Sequence, residues 1–215
     1  VRTLAYIKLF AFSMSKLTLA IHGGAGTILK KNMTPALEKA YKDGLQAALH
    51  AGYSILERGG TALDAVKAAV ISLEDNILFN AGRGSVFTNK GHHEMDASIM
   101  SGKDLSAGAV AGVQGIRNPV ALAYEVMRRT EHVMLSGDGA VEFAGEIGMP
   151  IEADEYFYSE FRYNQWEQVR DSDNTALDHN INTEKKFGTV GAVACDKNGD
   201  TAAATSTGGM TNKKF

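Results

Sequence analysis

A glycine and a threonine open a run of small apolar residues, Gly188-Thr189-Val190-Gly191-Ala192-Val193-Ala194, and Thr205-Ser206-Thr207-Gly208-Gly209 follows beyond a tight turn. A small residue ahead of a strand-opening threonine is the layout expected where a chain cuts itself and exposes that threonine as a new N-terminus. Such a threonine brings its own base, because the freed α-amine, with an ordinary pKa of about 7.7–8.0, sits beside the hydroxyl it must activate. Glycine on the other side of the bond lowers steric resistance to the strained geometry of the cut. The chemistry that follows is amide hydrolysis. The same run also suits an ordinary buried strand, so the reading gains weight only from what accompanies it.

Three further motifs accompany it. Leu19-Ala20-Ile21-His22-Gly23-Gly24-Ala25-Gly26 lies near the start, with Leu78-Phe79-Asn80-Ala81-Gly82-Arg83-Gly84-Ser85-Val86-Phe87-Thr88 and Glu94-Met95-Asp96-Ala97-Ser98-Ile99-Met100 in the middle. In this order the set resembles the plant-type L-asparaginase and isoaspartyl aminopeptidase family of N-terminal-nucleophile, threonine-type hydrolases, from about Lys16 to Lys214.

The resemblance implies a route. The Thr189 hydroxyl attacks the Gly188 carbonyl, an N-to-O acyl shift gives an ester, and water cleaves it. The freed Thr189 then attacks a side-chain amide, forming a β-aspartyl ester that water releases as aspartate. Thr207 matches the family's second active-site threonine, which tunes the nucleophile. Asn80 matches an asparagine near it, whose amide could hold the site or stabilise oxyanion charge. Without the resemblance, Thr207 reads equally as a strand-end residue bonded to backbone, and Asn80 as a turn residue. Gly23 and Gly24 match the glycine-rich active-site loop, and His22 is given no proton-transfer role. Leu73, Glu74, Asn76, Phe79, Ala81 and Arg83 match a loop whose backbone carbonyls hold a structural sodium ion, oxygen ligands that suit a hard cation. Arg83 stands where an apolar residue is common, but only its carbonyl is invoked. No cofactor is implied for the chemistry. The implied substrates are L-asparagine and isoaspartyl dipeptides. The implied fold is a four-layer α/β/β/α sandwich of the α/β class, and the implied assembly is a homodimer of cleaved αβ units.

Composition narrows the setting. The chain has 215 residues, 44% of them apolar, enough for a sizeable core in one domain. Net charge is −3 and no extended basic run occurs, which argues against nucleic acid or an anionic membrane as partner. Cys195 is the sole cysteine, which excludes an internal disulfide and fits a reducing, cytoplasmic location. No run of 18 apolar residues exists.

The elements that must position these residues can be read in outline. Leu17–Ile21 reads as a buried strand entering the His22 loop. Thr34-Pro35 starts a helix that Gly59-Gly60 stops, and Thr61 caps a second helix. Strands are expected near 85–88, 93–100 and 107–113, then a helix from Asn118-Pro119 to about Arg129. A short strand at 132–135, a helix at 138–147 and one helix across 155–170 follow. Residues 171–186 read as a mobile linker or an ordinary surface loop. Asn198-Gly199 centres a two-residue hairpin turn, which sets Val190 opposite Thr207 and Thr189 opposite Gly208. Ideal alternation then separates the two threonine side chains, and a bulge is needed to unite them.

Residues 1–13 read as upstream sequence or a poor secretory signal, 14–188 as an α subunit with its linker at about 171–188, and 189–215 as the start of a β subunit. The family's later Pro-Gly-Arg-Val-Gly-Asp-like segment and Thr-Gly pair are not in the sequence, so a C-terminally truncated, inactive chain is expected. The rivals fare less well. Gly23-Gly24-Ala25-Gly26 fails the G-x-G-x-x-G pattern of dinucleotide folds. Ser13-Met14-Ser15-Lys16 lacks the later motifs of penicillin-recognising enzymes. Adjacent His92 and His93 in an alternating strand make a poor metal pair. A glycosylasparaginase-like hydrolase and a degenerate, non-enzymatic binding module remain as alternatives.

Overall fold

The computed structural model describes residues 17–24, 33–171 and 188–214. The readings placed on residues 1–13, on Ser13–Lys16, on Ala25 and Gly26, and on the linker at 172–187 lie outside the described residues.

Local chemistry starts the helices where the sequence says. The Thr34 hydroxyl accepts from the Leu37 amide at 3.1 Å, and Pro35 leads α1 (Pro35–Glu57). Gly59, at φ +79°, turns the chain, and the Thr61 hydroxyl accepts from the Asp64 amide to open α2 (Ala62–Glu74). Pro119 begins α3 (Pro119–Arg129). Further on lie α4 (Gly137–Glu146), α5 (Asp154–Phe157) and α6 (Glu160–Glu167). The single helix expected across 155–170 is two. Tyr158 is extended, and the Ser159 hydroxyl accepts from the Arg162 amide, capping a fresh helix start.

Among the described residues, six strands form one mixed sheet: β1 (Thr18–His22), β2 (Met95–Ser101), β3 (Ala107–Val113), β4 (Met134–Ser136), β5 (Val190–Cys195) and β6 (Thr201–Thr207), in the order β1-β5-β6-β2-β3-β4. Every neighbouring pair is antiparallel except β3–β4. β1 is an edge strand with Thr18, Ala20 and His22 exposed, not the buried strand expected. Residues 85–88 are no strand, although Val86 and Phe87 are buried. Their donors are taken locally: Ser85 N–H bonds the Gly82 carbonyl, Val86 N–H the Asn80 side chain and Thr88 N–H the His92 carbonyl.

The core lies between one sheet face and the helices α2 and α3. Ala97, Ile99, Val190, Ala192, Ala194, Ala202 and Ala204 meet Val66, Ala69, Val70, Leu73, Val120 and Ala123 there. The small strand residues let α2 approach closely. The alternate residues, Met100, Val193 and Ala203 among them, point away from the helices into an open apolar trough.

The β5–β6 hairpin corrects the expected register. Its loop has three residues, Lys197-Asn198-Gly199, with Gly199 at φ +82° and the Asp196 amide bonded to the Asp200 carbonyl. That is the bulged hairpin of a longer loop and not the two-residue turn. The buried Asp196 carboxylate imposes it: one oxygen accepts from the Asn198 and Asp200 amides, and the other from Ala62 in the first turn of α2. Val190 therefore faces Ser206, and Gly191 faces Thr205.

Candidate active site

The shifted register brings the threonines together. Extending it by one residue sets Thr189 opposite Thr207, and directly opposed residues of an antiparallel pair point to the same side. The Thr189 hydroxyl donates to Thr207 Oγ1 at 3.3 Å, and the Gly209 amide donates to the same oxygen at 3.0 Å. No bulge at the glycines is needed. Thr189 is half-buried at the mouth of β5, and Gly188 before it is buried.

The glycine-rich loop closes over this junction. Gly24 adopts φ +112°, and a Cβ placed on it would stand 3.4 Å from the Gly188 carbonyl carbon. At Gly23 a Cβ would stand 2.9 Å from Leu45 and 3.0 Å from Phe79, so the loop is pressed against α1 and the 79–86 segment.

Asn80 is fully buried and braces the other side. Its amide nitrogen donates to the Gly209 carbonyl at 2.8 Å, its side-chain oxygen accepts from Val86 N–H at 3.1 Å, and its own carbonyl accepts from Gly208 N–H at 3.1 Å. These bonds make it a clamp on the Gly208-Gly209 turn that carries the Thr207 contact. Gly208 has no room for a side chain: a Cβ would lie 2.5 Å from the Asn80 oxygen and 2.7 Å from Ser85.

Three neighbours escaped the sequence reading. Lys213 reaches back to donate to the Glu94 carbonyl at 2.9 Å and the Gly208 carbonyl at 3.4 Å. Buried His93 sets Nδ1 at 3.1 Å from the Ser85 carbonyl and 3.2 Å from the Ser85 hydroxyl. Burial pushes this imidazole down to about 4, so it is neutral at pH 7. Asp96 stands in the Glu94–Met100 motif and pairs with Thr207 across β2–β6. Only the β2–β6 register could have located it.

The loop from Leu73 to Arg83 folds tightly on itself. A Cβ on Gly82 would meet the Glu74 carbonyl at 2.6 Å, and one on Gly84 would meet the Phe79 carbonyl at 2.0 Å. The Asn76, Phe79 and Ala81 carbonyls each accept one backbone amide, which leaves a second lone pair on each. Backbone carbonyl oxygens are the ligand type that suits a hard cation. The Glu74 side chain points elsewhere: it is wholly buried and accepts from Val120 N–H at 2.9 Å at the start of α3. Burial pushes its carboxyl up to about 8.

A family profile for asparaginases matches residues 15–215. The chain belongs to the asparaginase family. The matched range contains Gly23, Gly24, Asn80, Gly188, Thr189 and Thr207. Among its relatives, the isoaspartyl peptidase of Escherichia coli K12 is 49% identical over 203 residues, covering 93% of this chain and 63% of the relative. The isoaspartyl peptidase/L-asparaginase of Xenopus laevis is 44% identical over 199 residues, covering 92% and 61%. The human protein of the same description is 44% identical over 200 residues, covering 93% and 62%. The chain thus spans less than two thirds of the length of these asparaginase-family relatives.

Proposed function

We propose that the complete protein is a self-cleaving threonine amidohydrolase that converts L-asparagine to aspartate and ammonia and removes N-terminal isoaspartyl residues from dipeptides. The observation that carries this reading is the 3.3 Å contact between Thr189 Oγ1 and Thr207 Oγ1 at the mouth of β5, with Gly188 buried beside it. The names of the relatives, isoaspartyl peptidase and L-asparaginase, supply the substrate class.

In this reading Thr189 attacks Gly188, and the resulting ester is hydrolysed. The freed amine then takes the hydroxyl proton as Thr189 Oγ1 attacks the substrate amide. Thr207 orients that hydroxyl. Asn80 holds the Gly208-Gly209 turn in place and so fixes Thr207. Residues 14–188 form one subunit after the cut, and 189 onward begins the other.

Two structural proposals belong to the same reading. A second sheet from the rest of the protein covers the open trough, completing a four-layer α/β/β/α sandwich, and cleaved units pair as homodimers in the cytoplasm. A sodium ion on the Leu73, Glu74, Asn76, Phe79, Ala81 and Arg83 carbonyls stiffens the loop that ends in Asn80, without entering the reaction.

Thr189→Ala tests the assignment. In the complete gene product the variant stays as one band on a denaturing gel and releases no ammonia from asparagine, whereas the parent splits in two at Thr189. Retained asparagine hydrolysis in Thr189→Ala overturns it.

A further inference from the structure

The line of side chains through the two threonines does not stop at Thr207. Asp96 pairs with Thr207 in the β2–β6 ladder, so three adjacent strands present Thr189, Thr207 and Asp96 in one row. Their parity puts them on the open side: Ser98 and Met100 on β2, with Ala203 and Thr205 on β6, line the trough together. Directly opposed residues of this kind have Cβ atoms roughly 4.5–5.5 Å apart.

Hydrogen-bond capacity gives the row a direction. Thr207 Oγ1 accepts from the Thr189 hydroxyl and from Gly209 N–H. A hydroxyl has two lone pairs and one proton, so with both pairs engaged its proton stays available for a further acceptor. Asp96 accepts from Gly112 N–H through one carboxylate oxygen at 2.8 Å, which keeps the second oxygen as an acceptor.

A gap in the threonine mechanism makes this matter. The free α-amine that serves as base during turnover does not exist before the cut, because it is still the Gly188–Thr189 amide nitrogen. We propose that Asp96, acting through the Thr207 hydroxyl, receives the proton that Thr189 gives up during self-cleavage. This rests on the reading of Thr189 as the nucleophile. As Thr189 Oγ1 bonds to the Gly188 carbonyl carbon, its proton passes to Thr207 Oγ1 and the Thr207 proton passes to Asp96. When the C–N bond breaks, a proton returns along the same row to the Thr189 nitrogen. The carboxylate ends as it began, and the product is an ester from Gly188 to Thr189 Oγ1 with a free amine. Asp96 is thus a positioning residue for maturation, relieved of this task once the amine is free.

Asp96→Asn in the complete gene product is the test. Asparagine keeps the oxygen that accepts from Gly112, but turns an N–H donor toward a Thr207 oxygen whose lone pairs are taken. Cutting, timed on a denaturing gel, is expected to slow about 100-fold, within the range for a lost proton-transfer group. The melting temperature stays unchanged, and in the fraction that does cut kcat for asparagine falls at least tenfold less than the cutting rate does. Asp96→Thr, which forms a strand-compatible pair with Thr207 and carries no charge, gives the same split and serves should the first variant misfold. Complete loss of cutting at an unchanged melting temperature supports the proposal equally. Cutting at the parental rate overturns it, as does an equal loss of cutting and kcat. A Thr189→Ala protein that still cuts or turns over instead overturns the nucleophile assignment, and this inference with it.

Discussion

Asn80 meets its neighbours through both ends of its amide, and this makes its identity more restrictive than its position. Asn80→Asp keeps the oxygen that accepts from Val86 but sets a second oxygen against the Gly209 carbonyl where a donor stood. Two acceptors facing each other in a fully buried site cost on the order of 1–3 kcal/mol, and the turn carrying the Thr207 contact must shift. The expected result is at least tenfold slower ammonia release at a KM near the parent's, measured on cut protein. Gly208→Ala tests the same clamp from the other side, since its Cβ would lie 2.5 Å from the Asn80 oxygen; a fully active Gly208→Ala would show that the clamp has slack. The sequence put Thr189, Thr207 and Asn80 on the page by motif. It gave Asn80 a part in holding the site without the turn it braces, and it did not bring Lys213 or His93 there, because these contacts span from eight to well over a hundred residues of chain.

At the scale of elements, the hairpin shows where local rules were enough and where they were not. Asn198-Gly199 marked the turn correctly, but Asp196 set the loop at three residues by binding two amides of the turn and one at the start of α2. A one-residue shift then reversed the predicted relation of the Thr189 and Thr207 side chains. The α2–α3 junction carries a second long-range tie, the buried Glu74 on Val120 N–H. Its carboxyl is raised from 4.5 to about 8, so the folded state holds a proton that the unfolded chain releases. Its contribution is complete below pH 4.5 and is lost as pH climbs toward 8. His93, lowered from 6.5 to about 4, acts oppositely below pH 6.5, where falling pH favours the unfolded chain. Between pH 6.5 and 8 only the Glu74 trend of the two operates, worth about 2 kcal/mol. The melting temperature of the parent should therefore fall by several degrees across that window. Glu74→Gln, which keeps the acceptor for Val120, should flatten the curve; an unchanged slope would place the titration elsewhere.

For the whole molecule, the decisive pattern is that β5 does not alternate apolar with polar, although β6 sets Thr201, Thr205 and Thr207 on the side away from the helices. Ala192, Ala194, Ala202 and Ala204 face the helices, yet Gly191, Val193 and Ala203 on the opposite side are just as apolar. A strand with one wet face shows polar residues there, whereas strands covered on both faces read as continuous small or apolar runs. The proposed second sheet would account for the apolar second side of β5, while that sheet itself was legible only through the family resemblance. Val193 is 54% exposed and Met100 44% exposed in the trough. A charge at Val193 separates the alternatives. If a second sheet packs there, Val193→Asp buries an unpaired carboxylate and destabilises the complete gene product on the order of 4 kcal/mol. In the 215-residue chain the same substitution stays wet, leaves the melting temperature within about a degree, and lowers binding of a hydrophobic dye to the trough. Equal melting shifts in the two proteins would mean that this face is open in both, and the four-layer architecture would fall with it.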